Sequence, residues 1–265
     1  MNANETKPLA LITGASSGIG YELARQFAEN GFDLIVTAED EGIAEAANAF
    51  KSSGAEVEYI KIDLARPSGV HELYNFILSQ NRPLEAAALN AGAGVGGDFA
   101  RETEFEDELN IINLNVVSTF HLSKHIIRDM VARGKGRVLF TSSVVGVMPA
   151  PLQAVYGATK AFVQSFSEAI RNELLDSGVT VTSLMPGATD TEFFDGPGLA
   201  DTKVAQMKKD DPAVVAKQGF EAMMKGKDHV VGGSLMNKVQ VALNKILPEA
   251  AKAIGPRKFG EKSEN

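Results

Sequence analysis

The strongest constraint on this chain is a regular alternation of short, apolar, β-prone runs with helix-patterned stretches. "LALIT" (9–13) precedes an amphipathic pattern from Ile19 to Asn30 that Gly31 closes, and "DLIVTA" (33–38) precedes an Ala/Glu-rich helix running to about Ser53, closed by Gly54. The series continues with "EVEYIKI" (56–62), a helix near 67–80, "EAAALN" (85–90) and a long helix from about 103 to 132. "GRVLFTS" (136–142), a helix over 152–177, "VTVTSLM" (179–185), a helix near 212–225 and a weaker strand "DHVVG" (228–232) complete it. Strands separated by helices pair in parallel, with the helices packed on both faces of one sheet. The expectation is α/β: a single doubly wound domain over 1–233 with a parallel sheet of about seven strands, followed by a C-terminal helical extension over 234–265.

"TGASSGIG", Thr13 to Gly20, stands between the first strand and the first helix. Glycines at 14, 18 and 20 permit a tight turn, close approach of backbone to a pyrophosphate, and close packing of the next helix on the sheet. The helix N-terminus then offers its unpaired N–H groups to the anion. In that position the loop predicts a dinucleotide site and a Rossmann-type domain.

Bulk properties remove several function classes. The 265 residues are 44% hydrophobic, enough for a proper core, and carry a net charge of -8, which argues against nucleic acid or an anionic membrane as partner. There is no cysteine, so disulfides, thiol catalysis and thiolate metal sites are excluded. No window approaches a membrane span, and the polar "MNANETKPLA" start lacks a signal-like apolar stretch, so a soluble cytoplasmic protein is expected.

"YGATK" (156–160) opens an otherwise apolar helix with a phenol and an ammonium four residues apart, stacked on one face about one turn from each other. A free phenol titrates near 10, and bringing it to about 7 requires roughly 4 kcal/mol. One ammonium about 4 Å away at an effective dielectric of about 20 supplies that much. Lys160 is therefore expected to activate Tyr156 as a general acid or base.

The GxxxGxG spacing together with YxxxK resembles the short-chain dehydrogenase/reductase family, over residues 8 to about 232. "LNAG" (89–92) is similar to that family's NNAG motif, with Leu89 in place of the first Asn. Asn115 in "NLNVVS" falls where the family has its helix-borne Asn, Ser143 lies thirteen positions before Tyr156 as in the family, and "MPGATDT" (185–191) resembles the segment facing the nicotinamide. The resemblance implies a catalytic set of Asn115, Ser143, Tyr156 and Lys160. Tyr156 would exchange the proton, Ser143 would hold the substrate oxygen, Lys160 would also grip the nicotinamide ribose, and Asn115 would anchor a water leading from Lys160 to solvent. It implies cofactor contacts from Gly14, Ser16, Ser17, Gly18, Ile19 and Gly20, from Asn90, Ala91 and Gly92, from Pro186, Gly187 and Thr191, and from Tyr156 and Lys160. Asp63 and Leu64 in "KIDLA" match the family's adenine-side contact.

The implied activity is NAD(P)-dependent hydride transfer between nicotinamide and a carbonyl or secondary alcohol, with a small-molecule substrate and a homodimer or homotetramer built through the long helices. The rival reading is a non-catalytic dinucleotide-binding sensor or interaction protein on the same fold; it would tolerate loss of Ser143, Tyr156 or Lys160, and all three are present. Of the two cofactors NAD is favoured. The positions that distinguish them hold Ala38, Glu39 and Ser17, none is basic, and Glu39 with Asp40 would repel a 2′-phosphate.

No metal is expected. "HLSKH" has His121 and His125 at i, i+4, but it lacks the Glu of the zinc-protease motif and shows no third ligand nearby; His71 and His229 read as lone residues. Met148, Phe193 and Phe194 are candidates for the substrate wall, and a mobile lid is expected from about Thr189 to Asp211. In the extension, Leu235, Val239, Leu243, Ile246 and Leu247 form an apolar stripe that calls for burial. Pro248 should break that helix, and the final "GPRKFGEKSEN" should fray.

Overall fold

The computed structural model describes residues 7–244, 252 and 254–263. Seven strands form one parallel sheet: β1 (Leu9–Thr13), β2 (Asp33–Ala38), β3 (Val57–Lys61), β4 (Leu84–Leu89), β5 (Gly136–Thr141), β6 (Val179–Pro186) and β7 (His229–Gly232). Their order is β3-β2-β1-β4-β5-β6-β7. Ile12 lies between Val36 on one side and Ala88 on the other, so β1 and β4 flank the point where the strand order reverses. Because all pairings are parallel, every strand ends at the same edge of the sheet, and the loops that follow them cluster there.

Both faces are covered, as the near-continuous apolar strands require. On one face α1 (Gly18–Glu29), α2 (Gly42–Lys51) and α8 (Pro212–Met224) bring Phe27, Phe50 and Phe220 against the sheet; the Phe27 and Phe220 rings meet edge to face at 5.0 Å. On the other face α3 (Pro67–Ser79), α5 (Thr119–Arg133) and α6 (Ala154–Glu173) contribute Leu73, Leu122, Ile126 and Val163. The long helix expected over 103–132 is interrupted. α4 (Phe105–Ile112) passes into a π-helical turn, Asn113–Ser118, before α5 resumes. The wider turn redirects the side chains it carries, Asn115 among them.

The segment expected as a mobile lid folds as a cap closed at its base. A bridge between Thr189 and Asp210, with Asp190 N–H donating to Asp210 O at 2.9 Å and Asp210 N–H to Ala188 O at 2.8 Å, closes its base. Within it lie a 3-10 turn (Glu192–Asp195), the short α7 (Lys203–Gln206) and the fully buried Leu199.

The extension departs from expectation in two ways. α9 (Leu235–Asn244) does not bury its apolar stripe: Leu235, Val239 and Leu243 are exposed, while Val241 and Asn244 are buried. The docking face is largely polar because it lies over loop ends whose carbonyls need donors. Asn237 Nδ2 donates to Gly232 O at 2.9 Å and to Asp210 Oδ2 at 2.7 Å, and Asn244 Nδ2 donates to Val147 O. Ile246, Leu247 and Pro248 lie outside the described residues. Nor does the segment 254–263 fray. α10 (Ile254–Gly260) leads into an edge contact in which Lys203 N–H donates to Glu261 O and Ser263 N–H to Asp201 O, both at 2.8 Å, and Lys262 pairs with Glu102 at 2.9 Å.

These contacts generate a prediction. Truncation after Gly233 removes α9 and α10 and strips the Asn237 bonds from the base of the cap. The melting temperature should fall by about 2–4 °C for each kcal/mol lost; unchanged melting and unchanged sedimentation would show the extension to be dispensable.

Candidate active site

The edge of the sheet where the strands end opens into a cleft of about 640 Å³. Its floor begins at the glycine loop. Gly14 has φ +67°, and a Cβ there would sit 2.9 Å from Ala91 Cα; a Cβ on Gly20 would overlap the carbonyl oxygen of Gly14. The loop therefore closes tightly under α1. Ser17 caps α1 without a side-chain hydrogen bond, which leaves the N–H groups of the first turn to face the cleft. Ser16 Oγ donates to Asp40 Oδ2 at 2.7 Å, tying the loop to the end of β2.

Thr13 does more than open the loop. Its hydroxyl is buried and accepts from two successive amides, Asn90 N–H and Ala91 N–H, each at 3.0 Å. Asn90 completes the knot: its Nδ2 donates to Thr13 O at 3.2 Å, and its Oδ1 accepts from Thr141 Oγ1 at 3.0 Å. The ends of β1, β4 and β5 are thus locked together directly beneath the cleft.

Opposite the loop, α6 presents Tyr156 and Lys160 on one face, both buried. Ser143, reached just beyond β5, donates to Pro186 O at 3.4 Å and stands close enough to Tyr156 to lower its phenol. Lys160 Nζ donates to Thr141 O at 3.0 Å and stands 5.9 Å from the centre of the Tyr156 ring. Burial pushes the Tyr156 phenol up to about 12, against a smaller lowering by the Ser143 hydrogen bond, and pushes Lys160 down to about 8. The simple two-charge expectation, a phenol lowered toward 7 by an ammonium at 4 Å, is thereby corrected. Burial disfavours the charged form of both groups.

Asn115, on the π-helical turn, is almost wholly buried. Its Oδ1 accepts from Ala93 N–H at 3.0 Å, and its Nδ2 donates to Ala93 O at 2.9 Å and to Thr159 Oγ1 at 3.0 Å. It clamps the segment after β4 to α6. Asn115 Oδ1 and Lys160 Nζ both flank Gly92, where a Cβ would meet them at 3.0 and 3.1 Å.

The cleft wall includes Ser16, Ser17, Ile19, Glu39, Leu64, Ala91, Pro186, Gly187 and Thr191, together with the loop glycines and the catalytic candidates Ser143, Tyr156 and Lys160. Asp63 is not on that wall. Its carboxylate turns back to accept from Ala65 N–H at 2.9 Å and to pair with Arg66 at 3.0 Å. Met148, Phe193 and Phe194 line the cleft as expected, with the Phe193 ring 5.1 Å from that of Tyr156. Sequence reading missed Thr13 as a structural hub, and missed Val95, Ile111 and Phe259 as wall residues. Only a hydroxyl ending a buried strand hinted at the first, and Phe259 reaches the cleft through the unexpected docking of α10.

The glycine cradle, the uncapped helix start and the paired Tyr156 and Lys160 fit a nicotinamide dinucleotide. Comparison with known proteins agrees. The family profile described as short chain dehydrogenase matches residues 8–198. The NADP-dependent 3-hydroxy acid dehydrogenase YdfG of Salmonella typhi is 32% identical over 187 residues, covering 70% of this chain and 74% of that protein. The very-long-chain 3-oxoacyl-CoA reductase of Rattus norvegicus is 29% identical over 252 residues, covering 90% of this chain and 75% of the other. Among solved structures, a short-chain dehydrogenase from Sphingobium yanoikuyae in complex with NADPH superposes with a TM-score of 0.79 at 28% identity, covering 92% of this chain and 97% of that one.

Replacing Thr13 by Val keeps the shape of the side chain but leaves two part-buried amides without their acceptor. The expected cost is about 1–3 kcal/mol per orphaned group, read as a lower denaturation midpoint. A variant as stable as the parent would show that Thr13 is no hub.

Proposed function

Since the chain belongs to the short-chain dehydrogenase/reductase family of NAD(P)-dependent oxidoreductases, we propose that it reduces a bulky apolar carbonyl compound, or oxidises the matching secondary alcohol. The observation that carries this reading is the convergence of Ser143, Tyr156 and Lys160 in one cleft whose remaining wall is rich in apolar side chains such as Val95, Ile111, Met148 and Phe193. A sensor that only binds dinucleotide has no need of that set.

A nicotinamide dinucleotide held in the cleft would supply or accept the hydride. In the reductive direction the Tyr156 hydroxyl gives its proton to the substrate oxygen, and Ser143 Oγ holds that oxygen by hydrogen bonding as charge builds on it. Lys160, held by Thr141 O, lends positive charge to the resulting phenolate and is positioned to hold a ribose hydroxyl. Asn115 fixes the segment around Gly92 beside Lys160, which is consistent with its anchoring a water there. In the oxidative direction the same proton travels back to Tyr156.

NAD is the proposed cofactor, although the NADP-dependent dehydrogenase from Salmonella and the NADPH complex from Sphingobium are named for the phosphorylated form. Glu39 and Asp40 stand at the far end of the cleft, and the cations lining it among the described residues are Lys160, in the catalytic set, and Lys208, in the cap. A 2′-phosphate would therefore meet repulsion with no compensating charge. We also propose assembly through α4, α5 and α6, which leave Phe105, Phe120 and Phe162 exposed to solvent.

A raised phenol keeps its proton through the neutral range. Reduction should therefore hold constant across neutral pH and decline above about 8, where Lys160 loses its charge, while oxidation, which needs the phenolate, should rise with pH. Tyr156→Phe should lower turnover of ketones by about 10²- to 10⁴-fold with cofactor affinity nearly intact. Lys160→Ala should impair both turnover and cofactor binding. A screen of bulky ketones and secondary alcohols with both cofactors supplies the substrate, and full turnover in the Phe variant would sink the mechanism.

Cofactor preference is tested separately. Glu39→Arg should tighten NADPH binding on the order of tenfold, by removing a repulsive charge and adding a bidentate donor. A parent protein that already binds NADPH more tightly than NADH would refute the assignment.

A further inference from the structure

Far from the glycine loop in sequence and chemistry, the packing of α3 against α5 gathers three of the chain's four histidines. His121 and His125 lie one turn apart on α5, and the fold supplies from α3 the third member that the sequence alone did not reveal, His71. One ring nitrogen from each can be chosen so that all lie within 4.8 Å of one another. The ring centres of His71 and His121 are 4.7 Å apart, and those of His121 and His125 are 5.2 Å apart. His71 is exposed and the other two are half-buried, so the cluster opens to solvent on one side.

Its surroundings favour a cation held between the rings. Tyr74 stacks on His125 with ring centres at 4.4 Å, and its hydroxyl donates to Asp129 Oδ2 at 2.8 Å, which fixes the plane of that imidazole from behind. The described residues provide none of the three imidazoles with a hydrogen-bond partner. Beneath them α3 and α5 are already joined by Val70, Leu73, Leu122 and Ile126, so the two helices hold the rings at a fixed separation.

We propose that His71, His121 and His125 form a divalent transition-metal site, filled by Zn²⁺ through three neutral imidazoles with water in the fourth position. Nitrogen ligands at 2.0–2.1 Å around a tetrahedral zinc lie about 3.3 Å apart, so modest side-chain rotation closes the set onto the ion. Imidazole is a borderline ligand, and with no thiolate or carboxylate in the cluster the site suits Zn²⁺, Co²⁺, Ni²⁺ or Cu²⁺ and not Mg²⁺ or Ca²⁺. The ion would clip α3 to α5 across the outer face of the domain.

The test uses the tag-free full chain, stripped with chelator and titrated with zinc chloride in a calorimeter. One equivalent should bind, and at zinc about a hundredfold above the dissociation constant the melting temperature should rise by roughly 5 °C. Single changes His71→Gln, His121→Gln and His125→Gln should each weaken binding, and the triple change should abolish it with the far-ultraviolet spectrum preserved. His71→Gln alone, at an exposed position, keeps the experiment decisive if the others fold poorly. Cobalt chloride gives a second readout on the parent protein, whose visible spectrum should show the intense bands of four-coordinate Co²⁺. Absence of zinc uptake, uptake unaffected by His71→Gln, or a cobalt spectrum like that of the hydrated ion would each overturn the site.

Discussion

The buried hydroxyl of Thr13 joins the end of β1 to the end of β4 at the place where the strand order reverses. The rest of the site depends on that junction. A parallel sheet wound in two directions from its centre necessarily parts its loops there, and the gap is where a dinucleotide can enter. Holding the gap at a fixed width is a hydrogen-bonding problem, because the strand ends run out of partners at the same level. Thr13, Asn90 and Thr141 satisfy one another across three strands, and the glycine loop and the Gly92 segment rest on that knot.

Onto this rigid base α6 delivers two groups that burial affects in opposite senses: the phenol is harder to ionise and the ammonium easier to discharge. Both effects come from one cause, the removal of water from a narrow space bounded by Ser143, Phe193 and the start of α6. At neutral pH the phenol keeps its proton, and Lys160, pushed down to about 8, keeps most of its charge. A phenolate at Tyr156 would therefore depend on the charge of Lys160 more than a phenolate at the surface would.

What the sequence revealed and what it concealed divide along physical lines. The seven strands and their helices were readable because burial on both sides of a parallel sheet writes long apolar runs, punctuated by glycines such as Gly31 and Gly54. The loop glycines were readable from their place between strand and helix, Tyr156 and Lys160 from their one-turn helical spacing, and Ser143 only through the family resemblance. The π-helical turn around Asn115 left no periodic signature of its own. The sign of the Tyr156 shift was misjudged because desolvation depends on everything that encloses a group, and spacing reports only one neighbour. His71 joined His121 and His125 only through tertiary packing of α3 on α5. The polar seating of α9 was hidden for a similar reason: Asn237 and Asn244 answer carbonyls from distant turns, whereas the stripe of Leu235, Val239 and Leu243 looked like the buried side and is not.

The wall that faces Tyr156 is assembled from pieces with little in common. Phe193 comes from the cap, Met148 from the turn after β5, Ile111 from α4 and Phe259 from α10, while the family profile ends at residue 198. The cap is tied at its base by a few backbone bonds, and α10 meets it by an edge contact and surface ion pairs, so neither shares the interlocked core of the sheet. Changes confined to α10 would leave the Thr13–Asn90–Thr141 bonds untouched. The cleft thus has a floor knotted into the sheet and a wall borrowed from four separate segments, so its base and its outline answer to different parts of the chain.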